Sequence, residues 1–327
     1  MYRMGILGAG RWTEKHLAAL ARLGDRVQVT MIARRHPATP CPAAEAVGAR
    51  IVTADELLAS EEVDAVAVCT PNDVHRAHVE RALDAGKHVF CEKPLALSIE
   101  DSDAAIAAAE KAGRVLMVGH VTRHVPLYTA VGDVLASGEL GAPRAFYSSR
   151  YQVGGGNSWR MDPAIGGGAP FDLLIHDFDL MNWYVGRPIE VFARGRRHEQ
   201  GALDHVGTVF SCAGDVIAVV EGGFLLRPDA GLRAWLRVVC ERGHVEADST
   251  DRDFPIRVFV EHREERRLSL PEEDAILSGI VGEYDEFFQA IEGHPPDRLL
   301  LPDARTAVHC AELVTRSAET GKPVRFD

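Results

Sequence analysis

The chain has 327 residues, enough for two domains with separate cores, and its 46% hydrophobic and 26% charged content is that of an ordinary globular protein. Its 48 acidic side chains against 36 basic ones leave a net charge of -12, which argues against the basic surface that nucleic-acid binding needs. No apolar run approaches the ~18 residues of a membrane span. The first predicted strand starts next to Met1, leaving no room for a signal or transit peptide. Six scattered cysteines (Cys41, Cys69, Cys91, Cys212, Cys240 and Cys310) form no C-x-x-C pair. They read as reduced core residues of a cytoplasmic protein.

In chain order, strands are predicted at 4–7, 27–33, 63–69, 88–91 and 115–119, and helices at 14–23, 55–60, 74–85 and 99–111. Gly86 and Gly113 close the last two helices. Unbroken apolar strands alternating with helices imply a parallel sheet buried on both faces. Pro37-Ala38-Thr39-Pro40-Cys41-Pro42 is too rich in proline for a helix and is expected to be a loop. From Pro143 the hydrophobic period changes to two. Segments 144–153, 189–198, 206–212, 216–224, 234–240 and 256–262 read as strands with few helices between them, which implies one antiparallel sheet. One predicted helix, 171–184, interrupts them, and two more, 280–292 and 303–318, close the chain. The expected domains are 1–121, binding NAD(P), and 122–327, for substrate and oligomerisation.

Gly8-Ala9-Gly10-Arg11-Trp12-Thr13 joins the first strand to the first helix. Gly8 permits a tight turn, and Gly10 lets a pyrophosphate approach the helix N-terminus, flanked by Arg11 and Trp12. Thr13 replaces the third glycine of the motif and is expected to loosen helix–strand packing. A bare G-x-G is also an ordinary glycine turn; the strand–turn–helix setting favours a dinucleotide. An NAD site carries an acid at the end of the second strand. Here that end reads Ile32-Ala33-Arg34-Arg35-His36. Guanidinium groups suit a 2′-phosphate, so NADP is the expected cofactor, with Arg34 the main contact and Arg35 second. NAD remains an alternative, with two solvated arginines.

Glu92-Lys93-Pro94-Leu95 follows the apolar run His88-Val89-Phe90-Cys91. The carboxyl end of a parallel strand is where open α/β sheets bind ligands. A partly desolvated lysine there has a tunable proton affinity; a solvated turn is the alternative. Further along, Gly166-Gly167-Gly168-Ala169-Pro170 leads into the helix predicted at 171–184. At ~100° per residue, Asp172, His176, Asp179 and Trp183 share one stripe of an otherwise apolar helix. That stripe must face a pocket or a satisfied polar network. An imidazole one turn from a carboxylate makes a general acid/base pair; the alternative is a buried Asp–His pair tying the helix to the sheet. Trp159-Arg160-x-Asp162-Pro163 reads as pocket lining or as a structural Arg–Asp pair with a packed indole. His75/His78 and His120/His124 lack the accompanying ligands of a metal site, so no metal is expected. Neither a Gly-x-Ser-x-Gly elbow nor a Walker sequence occurs.

Together these marks resemble the Gfo/Idh/MocA family, named for glucose–fructose oxidoreductase, inositol dehydrogenase and a rhizopine catabolism protein. The resemblance runs through Gly8-Ala9-Gly10 with His16, Thr70-Pro71-Asn72-x-x-His75, Ala85-Gly86-Lys87-His88-Val89, Glu92-Lys93-Pro94, Trp159-Arg160-x-Asp162-Pro163 and Asp172-x-x-x-His176, and covers essentially the whole chain. It implies an α/β protein: an N-terminal Rossmann domain and a C-terminal α+β domain with a large open antiparallel sheet, often the interface of a homodimer or homotetramer. The implied activity is hydride transfer between NAD(P) and a secondary alcohol or ketone of a sugar, cyclitol or polyol. By resemblance Lys93, Asp172 and His176 are catalytic and touch substrate. Thr70, Asn72, His75, Glu92 and Lys93 lie near the cofactor, and Arg123, Trp159 and Arg160 meet the substrate. Two rival activities are an NAD-dependent glycosidase working by oxidation and elimination, and a non-catalytic sensor of nucleotide and sugar.

Overall fold

The computed structural model describes residues 1–39, 41–154, 158–271 and 274–326. The chain forms two compact units, Met1–His124 with Asp274–Arg305, and Val125–Glu273 with Thr306–Asp327. Sequence places a single cut at 121, whereas the chain returns to the first unit over 274–305. Aromatic burial accounts for that return. Tyr284, Phe287 and Phe288, on the helix Ala275–Ile291, are fully buried and pack against Tyr2, His16 and Phe90 of the first unit.

The first unit runs β1 (Tyr2–Leu7), α1 (Arg11–Arg22), β2 (Val27–Ala33), α2 (Pro42–Ala46), β3 (Arg50–Val52), α3 (Ala54–Ala59), β4 (Ala65–Val68), α4 (His75–Asp84), β5 (His88–Glu92), α5 (Ile99–Ala112) and β6 (Leu116–Gly119). Among the described residues its six strands pair in parallel, in the order β3-β2-β1-β4-β5-β6. Every residue of β4 and β6 is buried, as strands covered by helices on both faces require. Helix ends follow local chemistry: Thr53 and Glu56 form a capping box on α3, Ser98 caps α5, and Gly113 ends α5 at φ 59°. The expected proline-rich loop gives way to α2 at Pro42, which suits the first helical position because its missing N–H is not needed there; Pro40 lies outside the described residues. Strand order reverses between β1 and β4, so the sheet's switch point lies where Leu7 leads to Gly8 and Val68 to Cys69.

The second unit is built on α6 (Pro126–Ala136), β7 (Pro143–Val153), α7 (Gly168–Asp172), α8 (Ile175–Val185), β8 (Pro188–Arg197), β9 (Leu203–Cys212), β10 (Val216–Leu226), β11 (Arg233–Cys240), β12 (Gly243–Asp248), β13 (Ile256–Val260) and β14 (Arg266–Leu268). After α9 (Ala275–Ile291) in the first unit come α10 (Leu301–Thr320) and β15 (Val324–Arg325). Nine strands among the described residues form one sheet, β14-β13-β12-β11-β7-β10-β9-β8-β15. It is mostly antiparallel, with one correction: β7 and β10 pair in parallel. The helical crossover α7–α8 returns the chain in the direction of β7, and two hairpin turns then restore that direction at β10. Both edge strands are very short, which limits edge-to-edge pairing. α8 covers β7 and β10 on one face, while Tyr147, Val209 and Ile217 are exposed along the strands.

A second correction concerns the helix predicted at 171–184. It is two helices, broken at Leu173 and Leu174, where the Leu174 N–H donates to the Ala169 carbonyl at 2.8 Å. The break lets Leu173, Leu174 and Ile175 all be buried in succession, which a straight helix turning ~100° per residue does not favour. No helix among the described residues is long and apolar enough to cross a membrane.

Candidate active site

The turn after β1 is shaped for a phosphate. Gly8 adopts φ 112°, and a Cβ there would collide with the Cys69 carbonyl oxygen. Gly10 caps α1 without a side-chain partner, and a Cβ built on it meets nothing within 4 Å. The space beside Gly10, at the N-terminus of a twelve-residue helix, is therefore open, a cradle that fits a dinucleotide pyrophosphate. Arg11 and Trp12 are exposed beside it. Thr13 corrects an expectation: it is buried, and its hydroxyl donates to the Gly8 carbonyl at 3.2 Å, so it braces the turn rather than loosening it. At the end of β2, Arg34 donates to the Thr39 carbonyl at 3.1 Å, and Arg35 is exposed.

At the end of β5, every residue from 89 to 96 is buried except Lys93. The preceding Glu92 is the centre of a polar knot. Its Oε1 accepts from the Trp12 indole at 2.8 Å and lies 3.0 Å from His16 Nε2, while Oε2 accepts the Lys93 amide at 3.2 Å. His16 is fully buried, and its Nδ1 lies 2.8 Å from the Tyr284 hydroxyl. Burial opposes charge on His16, but Cys69 and Glu92 outweigh it and raise the imidazole to about 10. Burial pushes the Cys69 thiol up although His16 draws it down, and the group's carboxylate charge is that of Glu92. Burial opposes that charge too, yet His16, Lys93 and Trp12 hold the carboxyl below its usual range. Nearby, Asn72 and His75 are buried and Thr70 is part-exposed. Both His75 nitrogens sit on main-chain carbonyls, Nδ1 on Pro94 at 2.7 Å and Nε2 on Thr70 at 2.8 Å.

In the second unit, every residue from 168 to 181 is buried except Asp172, which ends α7, and His176, in the first turn of α8. Asp172 Oδ2 lies 2.9 Å from Arg160 Nε, and the Arg160 guanidinium covers the Trp159 ring, 5.3 Å from its centroid. Of the two readings of this segment, the structural pair takes another form: Arg160 meets Asp172, while Asp162 accepts the Ala164 amide at 2.9 Å. Next to His176, Asp177 is buried and bound by Ser148 and by Arg150 Nε at 2.6 Å, which anchors α8 to β7.

Arg123 follows the end of β6. It is buried and donates to the Arg298 carbonyl and to Asp303, both at 2.8 Å. Sequence reading also left unassigned several groups that the structure brings into play. His16 stands one helical turn after Trp12, a spacing that hinted at a shared partner. Tyr284, Arg150 and Asp177 carried no local signal. Among the described residues no cluster of three His, Cys, Asp or Glu side chains could hold a metal.

Comparison with known proteins agrees with this geometry. Residues 2–120 match an oxidoreductase family model with an NAD-binding Rossmann fold, and residues 128–246 match the Gfo/Idh/MocA C-terminal domain. The chain is 27% identical to 1,5-anhydro-D-fructose reductase of Ensifer adhaerens, over 100% of this chain and 99% of that protein. It is 32% identical to inositol 2-dehydrogenase of Rhizobium meliloti (strain 1021), over 76% of each. A levoglucosan dehydrogenase solved with NADH and levoglucosan shares the fold at TM-score 0.90 and 21% identity, over 99% of both chains. The strand order, the glycine cradle and both domain matches together show that the chain belongs to the Gfo/Idh/MocA family of oxidoreductases with an NAD-binding Rossmann fold.

Proposed function

We propose that the protein is an NAD(P)-dependent dehydrogenase or reductase, preferring NADP, that interconverts a secondary alcohol and a ketone on a sugar, cyclitol or polyol. One observation carries this reading. In two otherwise buried segments, 89–96 and 168–181, the residues that reach solvent are Lys93, Asp172 and His176. A fold that needed these positions only for packing would have no reason to expose an amine, a carboxylate and an imidazole there. The named relatives act on compounds of this class: anhydrofructose, inositol and levoglucosan.

The nicotinamide, when bound, supplies or accepts the hydride. The amides at Gly10 and the start of α1 hold the pyrophosphate, and Arg34, with Arg35, takes the 2′-phosphate. Lys93 places a positive charge against the substrate oxygen as it gains negative charge. His176 takes the hydroxyl proton in oxidation and returns it in reduction. Asp172 is held by Arg160 and orients the reacting groups; Trp159 offers a flat apolar surface for a sugar ring. The exposed sheet residues Tyr147, Val209 and Ile217 are our candidate surface for a homodimer or homotetramer.

The test is a screen of inositols, aldoses, polyols and their keto forms with NADP(H) and NAD(H), following nicotinamide absorbance. Placed proton transfer is worth about 10²–10⁴-fold, so His176→Ala and Lys93→Met should each lose at least that much turnover. A panel with no turnover in protein that binds dinucleotide, or variants as active as the parent, would sink the proposal.

A further inference from the structure

We infer that His75 is a positioning residue for Lys93: it straps the backbone just beyond the lysine to the segment that leaves β4. The inference rests on the proposed role of Lys93. His75 opens α4 and is 1% exposed. Its two ring nitrogens face the carbonyl oxygens of Pro94 and Thr70 at 2.7 and 2.8 Å. Carbonyls only accept, so every hydrogen bond in this strap is donated by the imidazole. A neutral ring supplies one N–H and a protonated ring two.

Lys93 is thereby gripped on both sides. Before it, Glu92 accepts the lysine amide at 3.2 Å and is itself fixed by His16 and Trp12. After it, the carbonyl of Pro94 is held by His75. Both grips act on main-chain atoms at Lys93 and just after it, so they fix the backbone from which the lysine side chain springs. His75 presents both nitrogens to the main chain, an arrangement suited to a brace rather than to a cofactor ligand. Burial lowers the proton affinity of His75; the Pro94 and Thr70 carbonyls and the charge of Glu92 raise it, and Lys93 lowers it. His78, on the same helix, is lowered by burial, then by Arg81 and His75. Accurate placement matters because a displacement of about 1 Å at a reacting group costs on the order of 10²-fold in rate.

The test compares His75→Leu, which removes every donor, with His75→Gln, which restores an uncharged one, in the full-length protein. Four quantities are read: dinucleotide Kd, kcat, KM, and deuterium exchange over 89–96. The strap predicts that His75→Leu lowers kcat by ten- to a hundredfold per bound dinucleotide, with Kd within threefold of the parent. Exchange at and after Lys93 rises, and His75→Gln recovers part of both losses. Unchanged kcat and exchange in His75→Leu, or a loss of dinucleotide affinity that accounts for the whole defect, would overturn it. Lys93→Met is measured alongside. If that variant stays active, the reading of Lys93 falls, and the exchange data still decide whether the strap exists.

Discussion

Arg34 stands where an NAD site carries an acid, and the bond from its side chain to the Thr39 carbonyl steadies the guanidinium at the end of β2. A charge-assisted contact to a 2′-phosphate is worth about 1.5–3 kcal/mol, or roughly ten- to hundredfold in affinity. Arg34→Asp should therefore raise the KM for NADP by at least tenfold and leave or improve that for NAD. Michaelis constants for both cofactors check this, and equal use of NADP and NAD by the parent would refute the preference. At this scale the sequence was readable wherever chemistry is local. Glu92-Lys93 and Arg34-Arg35 announced themselves at strand ends. The partners of Glu92 did not: His16 reaches Tyr284 across 268 positions, and Trp12 reaches Glu92 across 80. No window along the chain contains both ends of either contact.

Among elements, the turn joining β1 to α1 separates two roles that the motif alone merges. Gly8 is constrained by the protein: at φ 112° and against the Cys69 carbonyl, it has no place for a side chain. Gly10 is constrained only by what binds, since its φ of -86° suits any residue and its Cβ would enter open space. Gly8→Ala should thus cost about 1–3 kcal/mol of stability from backbone strain alone and weaken dinucleotide binding as well. Gly10→Ala should keep the parent Tm yet weaken NADPH binding at least tenfold, because the methyl occupies the phosphate approach. Thermal melts beside fluorescence titrations distinguish the two, and a destabilised Gly10→Ala would show that the open space is filled by the protein. Element types were legible from periodicity for β1, β2, β4, β5 and β6, where apolar runs are long enough to register; β3, three residues long, and α2, in the proline-rich stretch, were not. The break between α7 and α8 was not, because Leu173 and Leu174 continue the apolar pattern that a single helix would show. The parallel β7–β10 pair was equally hidden, since register and direction depend on crossovers rather than on alternation.

At the scale of the whole chain, the first unit is discontinuous, and its two pieces are joined by buried polar contacts that no composition shift marks. Glu286 on α9 accepts from His124 at 2.7 Å and from the amides of Asp297, Arg298 and Leu299 at 2.9, 2.8 and 2.9 Å. Arg123 adds its bonds to Arg298 and Asp303. These contacts fasten residue 124, where the chain leaves the first unit, to the segment that returns at 274. Burial tends to raise the Glu286 carboxyl, but His124 and the backbone donors prevail and hold it below its ordinary value. A carboxylate whose folded proton affinity is depressed adds stability above the unfolded value of about 4.3, and that contribution is lost as pH falls through the lower folded value. The parent should therefore lose stability on acidification below roughly pH 4.5, in part through this residue. Glu286→Gln leaves an amide facing donors it cannot accept from equally well, and should cost about 2–4 kcal/mol near neutral pH. Its stability should also fall less steeply with acid than the parent's. Urea denaturation of both proteins between pH 3.5 and 7 measures the two slopes. Parallel slopes would mean that Glu286 is not the carboxylate whose protonation loosens the return of the chain to its first unit.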